Sequence, residues 1–134
     1  PDTGKLTTVS GALGSADVRS SLAIPKDEAE LLWVGTTQGL YVGNFDNWES
    51  VPDLENRTIT ALVWDGNASS LWVGTDLGLF RLVSQDKGWK ANEFNVHNSG
   101  LGANRVNAIA ISMGDAGETN LWVGTPCGLS CYSY

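Results

Sequence analysis

Ionisable and soft side chains are scarce in this chain. Of its 134 residues, one is His, two are Cys, one is Met, and only 17% are charged. The single histidine, His97, lies near the end of a strand d, and a lone His of this kind is more often structural than catalytic. No Ser-His-Asp grouping can be argued around it. Cys127 and Cys131 match neither the C-x-x-C of a redox site nor the C-x-x-C-H of haem attachment. Placed across a hairpin and into an extended strand, their Cα atoms lie too far apart to bridge each other. Cys131 is expected to pack as a small apolar residue. Cys127 is expected to be an exposed free thiol, with pairing between chains as the alternative. No run of about eighteen apolar residues exists, which excludes a transmembrane helix in this sequence. Positive charge is short as well: 8 Lys and Arg stand against 15 Asp and Glu, for a net charge of −7, which argues against nucleic acid as the ligand. The segments Asp65-Gly66-Asn67 and Asp115-Ala116-Gly117 lack the ligand count that calcium needs and read as turns. No metal and no cofactor are expected. No signal peptide is visible, and Pro1 is not a natural start.

What the chain has is repetition. The string Leu-Trp-Val-Gly-Thr-x-x-Gly-Leu runs at Leu32–Leu40, Leu71–Leu79 and Leu121–Leu129. Only the pairs Thr37-Gln38, Asp76-Leu77 and Pro126-Cys127 differ between copies. Trp33 and Trp72 are 39 residues apart, and Trp72 and Trp122 are 50 apart. A period near forty, built from short apolar runs broken by Gly, Asp and Asn, suits four-stranded propeller blades rather than helical repeats. Each unit has the same order. Strand a is Val18–Ile24, Ile59–Trp64 or Val106–Ile111. Strand b carries Leu-Trp-Val. Strand c is Leu40–Val42, Leu79–Val83 or Leu129–Tyr132. Strand d is the weaker run at Trp48–Val51 and Trp89–Val96.

The glycines of the nonapeptide have distinct tasks. Gly39, Gly78 and Gly128 sit where a hairpin needs positive φ. Gly35, Gly74 and Gly124 end strand b where a neighbouring blade's backbone can approach closely. The Trp-Val pair makes both faces of strand b apolar, so Trp33, Trp72 and Trp122 are expected in the core between blades.

The two ends of the sequence are complementary. The last unit has no strand d after Tyr134, and the first has an unassigned segment, Lys5–Asp17, before strand a. That segment aligns without a gap on the region before the third unit: Leu6 on Phe94, Leu13 on Leu101, Gly14 on Gly102, Val18 on Val106. The sequence therefore predicts an all-β propeller domain with three four-stranded blades written d-a-b-c, in units of about 5–45, 46–87 and 88–134. Three blades close a ring poorly, since propellers have typically four to eight. A head-to-tail homodimer with six blades solves this, Lys5–Val9 of one copy lying against Leu129–Tyr132 of the other. A fragment of a longer propeller is the rival reading.

Loops alternate between the two faces of such a disc. The a–b and c–d loops carry Asp27, Glu28, Glu30, Asp46, Asp65, Asp86, Asp115 and Glu118 against Lys26 and Lys87, a solvated acidic surface. The d–a and b–c loops carry Gln38, Asn56, Arg57, Asp76, Asn104 and Arg105. That face is better suited to a small polar ligand or glycan, and these six residues are the candidate ligand-binding set.

The nonapeptide, preceded by Ile59-Thr-Ala-Leu-Val-Trp-Asp65, closely resembles the two-component regulator propeller repeat. The resemblance covers all three units. It implies a bacterial β-propeller of the kind that forms the extracytoplasmic, periplasmic or extracellular, ligand-sensing part of hybrid histidine kinases, many of them responsive to polysaccharide fragments. It supplies no catalytic residues. The expected function is a non-enzymatic binding module, ligand-sensing or lectin-like, as part of a two-component sensor system. The alternatives are a protein-interaction scaffold and, less favoured, a propeller lyase or hydrolase.

Overall fold

A computed structural model describes residues 17–26, 29–43, 47–85 and 88–134, with side chains for all of these except 25, 26, 29 and 30. Eleven strands form three antiparallel sheets among the described residues. The first contains β1 (Val18–Lys26), β2 (Ala29–Thr36), β3 (Gly39–Gly43) and β4 (Trp48–Ser50), in that order. The second contains β5 (Ile59–Asp65), β6 (Ser70–Thr75), β7 (Gly78–Gln85) and β8 (Gly88–Phe94). The third has β9 (Ala108–Met113), β10 (Thr119–Thr125) and β11 (Gly128–Ser133), with β10 in the middle. Each four-stranded sheet takes strand d from the segment that follows its strand c. The third sheet has three strands among the described residues, and the segment expected to supply its fourth, Lys5–Val9, lies outside them. The structure is thus an all-β array of propeller-type blades, without a closed ring. Strand a of one blade packs beside strand a of the next, β1 with β5 and β5 with β9, as strands lining an axis do.

The nonapeptide's Thr, which the sequence reading passed over, builds the hairpin. Thr36 Oγ1 donates to the Gly39 carbonyl at 2.9 Å and accepts the Gln38 N–H at 3.0 Å. Thr75 makes the same pair with Gly78 and Leu77, and Thr125 with Gly128 and Cys127. One hydroxyl closes each turn, and the Gly that follows has φ of 128°, 129° and 123° at positions 39, 78 and 128, where a side chain would be strained.

Gly35 and Gly74 serve the joint between blades. A Cβ on Gly35 would collide with Ile59 Cγ2 and lie 2.5 Å from Ser20 Oγ; one on Gly74 would lie 2.6 Å from Val106 Cγ1. The first residue of the next strand a, or the residue leading into it, is thus a knob seated in a hole left by glycine. The close approach is by a branched side chain rather than by backbone, as the sequence alone had suggested.

Two cores result. One joins the first and second sheets through Trp33, Leu40, Leu54, Ile59, Leu71 and Leu82, all fully buried. The other joins the second and third through Trp72, Leu79, Leu101, Val106, Leu121 and Val123. Burying an indole of some 200 Å² contributes about 5 kcal/mol of hydrophobic free energy at each such site. Trp122 departs from expectation: it is 37% exposed, because no further blade covers β10 among the described residues. Cys131 is also exposed rather than packed, as is Cys127. β11 lies on the same uncovered side, with Leu129 at 68% and Tyr132 at 43% exposed.

Asp65 is not the solvated loop charge anticipated from sequence. It is buried, and its Oδ1 accepts the N–H groups of Asn67 and Ala68 at 3.0 and 3.3 Å, fixing the turn after β5. Its Oδ2 accepts the Tyr134 hydroxyl at 2.6 Å, and that hydroxyl accepts Trp72 Nε1–H at 3.0 Å. Arg81 lies over both rings, 5.3 Å from Trp72 and 5.1 Å from Tyr134, and donates to Ser70 Oγ at 2.9 Å. This cluster straps β11 to the second blade. Burial, then the hydrogen bond to Asp65, pushes the Tyr134 phenol up to about 12 from its ordinary 10.0. A raised pKa in the folded state gives stability that is complete below the unfolded value and lost as pH rises through the folded one. Melting temperature is therefore expected to fall between pH 10 and about 12, and more steeply than in Tyr134→Phe. Parallel melts of the two proteins across that window check it.

A candidate polar groove at the inner strand ends

The b–c hairpins and d–a connections meet at one end of the blades. Backbone bonds lock them: Thr37 N to Asp17 O at 3.0 Å, Asn56 N to Gln38 O at 3.1 Å, Asp76 N to Thr58 O at 3.1 Å, Val106 N to Thr75 O at 2.9 Å. The first two hairpins are thus tied to the start of strand a in their own blade and to the connection into the next. The connection before β5 is shaped by a one-turn 3-10 helix, Pro52–Leu54, and by Asn56 in the left-handed region at φ 62°.

The six sequence candidates take different places in this frame. Gln38 and Asn56 are exposed and linked through their main chains. Arg57 is half-buried; its guanidinium stacks on Phe80 at 5.1 Å and Nη1 donates to the Leu77 carbonyl at 3.4 Å. It therefore clamps the second hairpin. Asp76, in that hairpin, has a buried Oδ1 without a hydrogen-bond partner among the described residues. Asn104 Oδ1 accepts the Val96 N–H at 2.9 Å and orders the long connection before β9. Arg105 is exposed, with Nε 3.3 Å from Asn107 Oδ1.

Of the six, Arg105 lines a groove. Arg19, Thr58, Ile59, Thr60 and Arg105 enclose about 280 Å³. Thr60 Oγ1 donates to the Val106 carbonyl at 2.5 Å, which holds its hydroxyl between β5 and the start of the third blade. Arg19 was not among the sequence candidates. Its signal was its position: it follows Val18 as Thr60 follows Ile59 and Asn107 follows Val106, the first outward step of each inner strand. Arg19 Nη2 lies 3.1 Å from Asp17 Oδ2, an exposed pair that contributes little to stability. The groove joins two guanidinium groups, each able to grip a carboxylate or sulfate with two parallel hydrogen bonds, to threonine side chains suited to hydroxyls.

On the opposite end, Asp27, Glu28, Asp46, Asp86 and Lys87 lie outside the described residues, as do the side chains of Lys26 and Glu30. Asp115 is exposed, and Glu118 folds back to accept the Ala116 N–H at 3.1 Å. His97 is exposed in the turn after β8, its N–H held by Asn95 Oδ1 at 2.9 Å.

Comparison with known proteins agrees with this architecture. The profile of the lipoprotein LpqB β-propeller domain matches residues 1–116. The chain belongs to that β-propeller family. Among solved structures, the extracellular domain of a putative hybrid two-component system from B. thetaiotaomicron superposes with a TM-score of 0.63 at 23% identity, covering 96% of this chain and 17% of that one. A second structure of that extracellular domain, described as a putative one-component system, gives a TM-score of 0.57 at 26% identity over 78% of this chain and 14% of the other. The chain thus spans about a sixth of these neighbours. No curated protein matches the sequence. The propeller resemblance carried by the nonapeptide holds, and one of the two solved neighbours is described as the extracellular domain of a putative hybrid two-component system.

Proposed function

We propose that this propeller segment is a non-enzymatic binding module of an extracytoplasmic sensor, and that its ligand is an acidic oligosaccharide held at the groove between Arg19 and Arg105. The observation that carries this is the pairing of two guanidinium groups with Thr58 and Thr60 in one groove of a chain whose net charge is −7. The groove is lined by Arg and Thr side chains with Ile59, without His, Cys or a carboxylate, a lining suited to binding. The neighbours' description as extracellular domains of a putative hybrid two-component or one-component system supports the setting. Gln38, Asn56 and Asp76 border the same end and extend the candidate surface; Arg57 and Asn104 hold its walls.

The double variant Arg19→Ala/Arg105→Ala is expected to lose about tenfold or more in affinity for uronate- or sulfate-bearing glycans, the worth of a charge-assisted hydrogen bond or two, with an unchanged melting temperature. A glycan array followed by calorimetry on the best acidic hit measures it. Equal affinity in both proteins, or a ligand seated near Asp115, overturns the reading.

The same reading includes a partner: a second copy closing a six-bladed ring head to tail. Val18, the counterpart of the buried knobs Ile59 and Val106, is 52% exposed. Gly124, the counterpart of the filled holes at Gly35 and Gly74, has nothing closer than 3.7 Å to an added Cβ. One open end thus carries the knob and the other the hole.

A further inference from the structure

The two blade joints are built on the same register and can be compared position by position. In the second joint, Trp72 Nε1–H is received by the Tyr134 hydroxyl. In the first, Trp33 stands where Trp72 stands and is likewise fully buried, yet its Nε1 has no hydrogen-bond partner among the described residues. Leaving a buried donor unpaired costs more than a single hydrogen bond gains. The counterpart of Tyr134, five residues after the last Leu of the nonapeptide, is Ser84. The phenol is therefore missing from the first joint.

Beside Trp33 lies a cleft of about 160 Å³, lined by Ile24, Leu31, Trp64, Ser69, Ser84 and Trp89 among the described residues. Trp89 meets Trp33 edge-on at 4.9 Å without closing the cleft. The walls have changed with the occupant. Asp65, which accepts the Tyr134 hydroxyl, is replaced in register by Ile24, and Ser70, which accepts Arg81 Nε–H, by Leu31. The first joint thus keeps the indole donor but has lost the second acceptor and the cation. A cavity of this size accommodates a single six-membered aromatic ring.

We propose that the Trp33 cleft is a second binding site, distinct from the arginine groove, that takes a small phenol or aryl carbonyl compound. The ring lies against Trp64, Trp89 and the aliphatic walls, and its one oxygen accepts Trp33 Nε1–H as the Tyr134 oxygen accepts that of Trp72. A pyranose does not fit this chemistry, because its several hydroxyls would face Ile24 and Leu31 unpaired.

The test uses para-cresol and toluene, which match in ring and methyl and differ in the oxygen. Indole N–H resonances of the intact chain are followed by NMR, that of Trp33 being assigned by its loss in Trp33→Phe. Para-cresol is expected to move the Trp33 resonance and to bind about fivefold more tightly than toluene, the worth of one neutral hydrogen bond. In Trp33→Phe that difference disappears. Ser84→Tyr restores the missing phenol and blocks both ligands. The proposal is overturned if para-cresol leaves the Trp33 resonance in place, if the two ligands bind equally to the unmodified chain, or if methyl glucoside moves the resonance as strongly. Should Ser84→Tyr fail to fold, the comparison of the two ligands in Trp33→Phe decides alone.

Discussion

Trp72→Ala is expected to destabilise the chain by about 3–5 kcal/mol, the range for truncating a large buried aromatic. The indole is fully buried between the second and third blades and touches Phe94, Tyr132 and Tyr134 at centroid distances of 5.6, 6.0 and 5.8 Å. Its removal also takes the donor from the Tyr134 hydroxyl and one ring from beneath Arg81. Trp122 occupies the same place in the repeat but is 37% exposed, with Nε1 bonded to Ser112 Oγ at 2.9 Å. In the separated chain, Trp122→Ala is expected to cost about 1 kcal/mol or less, as exposed substitutions do. If two copies close a ring, it is felt instead as weaker association. Urea unfolding of both variants at low concentration is the measurement, and equal costs would contradict the burial that separates them.

The second large effect lies in the glycines. Gly35→Ala and Gly74→Ala are each expected to cost about 1–3 kcal/mol, the usual penalty of overpacking. At Gly74 the new Cβ meets Val106, whose N–H is tied to the Thr75 carbonyl at 2.9 Å and which cannot step aside without breaking the joint. Gly35 has Ile59 Cβ at 2.8 Å and Ser20 Oγ at 2.5 Å. Gly124→Ala faces only Ala108, at 3.7 Å and beyond, and is expected to leave the separated chain unharmed. If Val18 of a second copy fills that hole, Gly124→Ala lowers association while the chain's own melting stays put. Sedimentation velocity beside chemical denaturation distinguishes the two, and an intact chain that stays monomeric at every concentration removes ring closure from the account.

Much of the fold was legible because a nonapeptide repeated three times encodes its own geometry. Strands a, b and c begin and end close to where apolar runs and glycines placed them, although β9 starts at Ala108 rather than Val106. The positive φ values at Gly39, Gly78 and Gly128 followed from the hairpin spacing. The site was less legible. Six polar loop residues were named from their face of the disc, but face alone does not tell a residue that lines a groove from one that props its wall. Arg57 stacks on Phe80 and Asn104 caps Val96 N–H, while Arg19, from the first outward step of an inner strand, lines the groove beside Arg105.

The sequence by itself determined the repeat, the all-β class, the hairpins and the propeller family, since these depend on local spacing and turn chemistry that recur unchanged in every copy. Only the tertiary structure decided what differs between copies. Trp33, Trp72 and Trp122 are identical in the repeat. One indole has a buried N–H without an acceptor, one is paired with Tyr134, and one stands 37% open to solvent. The reason is physical: a strand's partners along the chain are set by its own period, whereas what covers its face comes from the neighbouring blade. The residues that do so, Ser84 in one joint and Tyr134 in the other, lie outside the repeated string.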